Sequence, residues 1–96
     1  MRRYPKLPGT VDAPSGPVAV VLKPTAAKGK MGSFDPSARV VTVDSALSPD
    51  RQWWVLFHEM AHVALWDSGA ANLMKKRVQE AVCDAIATAR MRERFG

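Results

Sequence analysis

In this 96-residue chain, the run His58-Glu59-Met60-Ala61-His62 holds the residues whose types and spacing are best suited to chemistry. On a helix, side chains four positions apart stack one turn above another on the same face, so the two imidazoles can converge on one metal ion. Glu59 then projects beside that ion, within reach of a proton on a zinc-bound water. The chain has only two histidines, both in this run, so any further ligand must be of another type.

A catalytic zinc ion takes three protein ligands and leaves a fourth position open. Carboxylates and Cys83 remain as candidates. If the helix carrying the histidines turns back near Ala71 into a second, antiparallel helix, residues equidistant from Ala71 stand level across the pair. Glu80 then faces His62 and Asp84 faces His58. Glu80 is the expected third ligand, and Asp84 is expected to receive the outer ring proton of His58 and fix its tautomer. Acidic pairs at this spacing more often form a solvated stripe, but here Val78, Ala81, Val82, Ala85, Ile86 and Ala89 surround them. A closely packed helix has little reason to carry acids near its seam unless something answers them. Cys83 points away from Asp84 and reads as a buried, inert thiol rather than a ligand. Arg77, one turn before Glu80 on the same face, is a candidate donor to charge developing on a carbonyl oxygen, against its alternative as a surface cation.

These side chains need two helices and something to brace them. Ser48-Pro49-Asp50 predicts a helix start: a hydroxyl to cap free amides, a proline preset for the first helical position and an acid at the positive end. The helix should run to about Asp67 and stop at Ser68-Gly69. It is apolar nearly all round, with Trp53, Trp54, Leu56, Phe57, Val63, Leu65 and Trp66, so it should be packed on several sides. Asn72 could cap a second helix continuing to about Arg94. Upstream, Val18 to Leu22 and Arg39 to Val43 have strand composition, with a loop at Thr25–Lys30. Gly32 to Ser37 resembles a strand end entering a turn set by Asp35 and Pro36. The expected fold is α+β: a small antiparallel sheet of about three strands packed on an αα-hairpin. Prolines and glycines make residues 1–16 an irregular arm, with residues 17–96 as the single domain.

The length suits one small core, and a lone cysteine excludes an internal disulfide. Bound metal is the natural reinforcement, one zinc per chain, and a reducing, cytoplasmic location is expected. No apolar stretch is long enough for a signal peptide core or a bilayer span. The net charge of +5 invites an acidic partner such as nucleic acid. The basic residues are, however, spread over much of the chain without a nucleic-acid motif, which fits an ordinary solvated surface. Oligomeric state is not encoded legibly.

HEMAH followed by EAVCD is similar to the gluzincin arrangement of HExxH plus a downstream glutamate helix. More closely, GSFDPSARVVTV, SPDRQWWVLFHEMAHVAL and QEAVCDAIA together resemble the small ImmA/IrrE-type metallopeptidases of bacteria and their phages. That resemblance implies a minimal zincin core, with His58, His62 and Glu80 as zinc ligands, Glu59 as general base and peptide or protein hydrolysis as the activity. Two features depart from it: the interval from HExxH to Glu80 is short, and the large substrate-shaping additions are missing. Tyr4, the one tyrosine, sits in the arm, so no His or Tyr is evident for the oxyanion. Two other readings stand beside it. One is a SprT-like protease acting on DNA-bound proteins, although those use a third histidine. The other is a non-catalytic binding or phage-assembly protein pinned by structural zinc, in which Glu59 would be dispensable.

Overall fold

The computed structural model describes residues 4–25 and 29–96. Residues 1–3 of the expected arm and 26–28 of the expected loop lie outside them. Four strands come first: β1 (Thr10–Val11), β2 (Val18–Lys23), β3 (Gly32–Asp35) and β4 (Val40–Asp44). Two helices follow, α1 (Pro49–Ser68) and α2 (Lys76–Phe95), joined through a 3-10 turn at Ala70–Leu73.

The α+β class, with a small sheet against a helical hairpin, is as expected. The sheet itself has four strands rather than three, in the order β1-β2-β4-β3, and is mixed. β3 and β4 form the antiparallel hairpin, with Asp35 Oδ1 accepting the amides of Ser37 (3.0 Å) and Ala38 (3.2 Å) in the turn. β4 then enters between β3 and β2 and runs parallel to β2, Val20 level with Val41 and Leu22 with Val43. The centre falls to β4 because its alternate residues Val41 and Val43 are fully buried against α1. The added strand, β1, comes from within the arm and pairs antiparallel with β2.

The rest of the arm lies on the helices. Trp53 Nε1 donates to Pro5 O at 2.7 Å, and Tyr4 meets Phe95 edge-on with ring centroids 4.8 Å apart. Sheet, α2 and arm therefore enclose α1, whose Trp53, Val55, Leu56, Ala61 and Val63 are all buried. This is the many-sided packing that its apolar circumference requires.

Helix ends differ from expectation in two places. Pro49 does occupy the first turn, but the Ser48 hydroxyl donates to Asp50 Oδ1 (2.6 Å) instead of capping an amide. Asn72 caps nothing. It lies within the 3-10 turn, and after an extended Met74 the second helix begins at Lys76, with Lys75 at the N-cap position making no side-chain cap hydrogen bond. Gly69 behaves as its position predicts: at φ 82° it takes the left-handed conformation and donates to Trp66 O at 3.1 Å. One further expectation needs correction. α2 is packed on one side only, burying Cys83 and Ala87, while Val78, Ala81, Ala85, Ile86 and Ala89 stay exposed. Only this one face packs on α1, so the apolar flanks do not make α2 an enclosed helix.

Candidate metal centre

Helical periodicity puts His58 and His62 on the face of α1 that meets α2, and the antiparallel return brings Glu80 and Asp84 to the same level. His58 Nε2 and His62 Nε2 lie 3.2 Å apart. Glu80 spans them, Oε2 at 3.2 Å from His58 Nε2 and Oε1 at 3.1 Å from His62 Nε2. Donor atoms around a tetrahedral zinc with bonds of about 2.0–2.1 Å stand about 3.3 Å apart, close to this spacing.

The outer nitrogens sharpen the fit. His62 Nδ1 lies 2.8 Å from Gln79 Oε1, which can only accept, so Nδ1 carries the proton and Nε2 presents its lone pair inward. On the other ring, Asp84 Oδ1 lies 2.9 Å from His58 Nδ1. It stands off the direction in which that nitrogen donates, and buried Nδ1 has no aligned hydrogen bond. Trp54 lies against the His58 ring, nearly parallel at 24° and 5.2 Å between centroids, and restricts its rotation. Two inward Nε2 atoms and a carboxylate aimed at one point form a donor set that a cation would satisfy. Cys83 takes no part: it is fully buried, and burial with the nearby Glu80, Glu59 and Asp84 pushes its thiol up to about 11.

Glu59 is buried at 8% exposure beside this cluster. Burial holds its carboxyl above the ordinary value, opposed by the neighbouring His58 and His62. Its position depends on close approach of β3 to α1 at Gly32. A Cβ there would meet Val55 Cγ1 at 2.6 Å and Thr42 O at 2.8 Å, with Glu59 Cγ at 3.5 Å. Two open clefts meet at this point. One, about 500 Å³, runs past His62 between Phe34, Trp66 and Lys76. The other, about 270 Å³, runs past His58 between Met31, Trp54 and Asp84. Lys30, Gly32, Glu59 and Glu80 border both, so together they form a groove along β3, the outer strand of the sheet.

The family profile of the IrrE N-terminal-like domain, a peptidase family, matches residues 15–94. This chain belongs to that family. No curated protein matches it. Among solved structures, a Mycobacterium tuberculosis transcriptional regulator is similar, with a TM-score of 0.51 at 15% identity. The similarity covers 73% of this chain and 27% of that one, and at this identity it speaks for the fold alone.

In this IrrE N-terminal-like domain, His58, His62, Glu80, Glu59 and Asp84 are thus brought together, while Arg77 is not. Arg77 is exposed and borders neither cleft at the cluster; Lys76, its neighbour, does. Gln79, Trp54, Lys30 and Gly32 are the contributors that the sequence did not announce. Gln79 had one available signal, adjacency to Glu80, but its turn toward His62 is a matter of how the two helices are rotated.

No helix among the described residues is long and apolar enough to cross a membrane.

Proposed function

We propose that this IrrE N-terminal-like domain is a zinc-dependent peptidase in which His58, His62 and Glu80 hold the metal and Glu59 is the general base. The observation that carries the reading is the convergence of two imidazole Nε2 atoms and one carboxylate at the wall of a groove, with a buried glutamate beside them. Bound there, zinc supplies Lewis acidity toward a carbonyl and lowers the pKa of water.

The chain's own residues do the rest. Gln79 keeps His62 in the tautomer that binds, and Asp84 with Trp54 restrains His58. Glu59 accepts the proton of the attacking water on its carboxylate and returns it to the leaving nitrogen. A peptide or protein substrate extends along the free edge of β3, adding backbone hydrogen bonds to Gly32–Asp35 and laying the scissile carbonyl over the cluster. Lys30 borders both clefts and Arg77 neither, so Lys30 is the cation available to charge developing on that carbonyl. A cytoplasmic setting suits the free thiol of Cys83.

Glu59→Gln is the test. The variant keeps one zinc per chain by metal analysis and loses roughly 10²–10⁴-fold in peptide hydrolysis. If wild type and variant hydrolyse a broad peptide library at the same rate, the peptidase reading fails and the ion is structural.

A further inference from the structure

The two halves of the groove differ in charge. Lys30, Glu59 and Glu80 are common to both halves; on the His62 side the further charge is Lys76, at the first position of α2, with Phe34, Pro36 and the half-exposed Trp66 as apolar wall. On the His58 side the charged wall residue beyond the shared border is Asp84. Among the described residues Lys76 has no carboxylate within 4.0 Å, so its ammonium group is free to meet a ligand, whereas Lys30 already acts on the charge of Glu59. Helix stability does not explain Lys76, because a cation at the first turn opposes the partial positive charge of the helix start.

We propose that the His62 side of the groove is an acid-selective subsite, in which Lys76 receives a Glu or Asp side chain of the bound peptide and Trp66 covers its aliphatic stem. The subsite rests on the peptidase reading only in that a peptide occupies the groove. Asp84 repels the same side chain from the other half, so the pair of walls also sets which way round an asymmetrically charged peptide lies.

The test uses the zinc-loaded full chain carrying Glu59→Gln, so that nothing is turned over, titrated calorimetrically with capped octapeptides of alanine and leucine bearing Glu, Gln or Lys at one scanned position. At the preferred position the Glu peptide binds roughly three- to tenfold tighter than the Gln peptide, with the Lys peptide weakest. Adding Lys76→Glu inverts the order, and this variant folds because an acid at the first helical position is favourable. Raised salt narrows the differences. Equal binding of the Glu and Lys peptides, an order untouched by Lys76→Glu, or no binding by any peptide overturns the subsite. Turnover by the wild-type chain is read separately. Charge-ordered binding without turnover upholds the subsite and rejects the peptidase, and turnover without charge order does the reverse.

Discussion

An imidazole offers a metal only the nitrogen that is not holding its proton, so the residues behind the ring decide whether a histidine is a ligand. Gln79 and Asp84 occupy that position for His62 and His58, and they are not equivalent. Gln79 is partly buried and 2.8 Å from its nitrogen, whereas the Asp84 side chain is 57% exposed and off the donor direction. Water can replace the exposed partner more readily than the covered one. Gln79→Leu is therefore expected to weaken zinc binding by about 10–100-fold in competition with a chromophoric chelator. Asp84→Ala should cost less than Gln79→Leu in the same assay. The reverse order would mean that bound metal draws Asp84 into line and makes His58 the more dependent ring.

At the scale of elements, the groove exists because β3 and α1 approach closely at Gly32. Any side chain there collides with Val55 and with the backbone oxygen of Thr42, and the latter cannot be moved without shifting β4. Gly32→Ala should destabilise the chain by about 1–3 kcal/mol in denaturant melts. It should also reduce zinc affinity, as β3 is pushed off the helix that carries the ligands. An unchanged melting midpoint would show that the strand has slack that the packing does not suggest. The helix pair itself was readable from residue types, because Pro49 and Gly69 mark real ends and a 3.6-residue period fixes which side chains share a face. The sheet was less so. Parallel pairing of β2 with β4 joins segments separated by a whole strand, and alternation within each segment is the same whichever neighbour it takes.

For the molecule as a whole, two ties hold the layers around the site. One is the zinc ion of the proposed site. Chelation by EDTA, from a starting zinc concentration about a hundredfold above Kd, should lower Tm by roughly 10–20 °C in a domain of this size, read by circular dichroism. The other joins the sheet to the far end of α1. Arg39, held at φ 52°, sends its guanidinium to both oxygens of Asp67 at 2.8 and 3.0 Å and to Gly16 O at 2.9 Å, while Ser15 N donates to Asp67 at 3.1 Å. The hydrogen bonds from Arg39 hold the Asp67 carboxyl below its usual value of 3.8, so the folded chain binds fewer protons there than the unfolded one. The stabilisation is thus fully present above about pH 4 and is lost as pH falls through the depressed native value. Comparing Tm at neutral and strongly acidic pH, wild type should exceed Asp67→Asn at neutral pH and converge toward it in acid. Parallel pH profiles for the two proteins would exclude this tie as a source of acid sensitivity.

Local chemistry in the sequence determined the helix carrying His58, Glu59 and His62, its stop at Gly69, and the level at which Glu80 and Asp84 return. These follow from backbone hydrogen bonding within a few residues and from the symmetry of a hairpin, neither of which depends on the rest of the chain. Tertiary structure alone decided the strand order, the choice of Gln79 behind His62, the exposure of the α2 flanks and the placing of Lys76 rather than Arg77 in the groove. Each of those depends on helix rotation or on pairing between distant segments. A rotation of one residue about a helix axis moves a side chain by about 100°, enough to exchange a wall of the groove for open solvent.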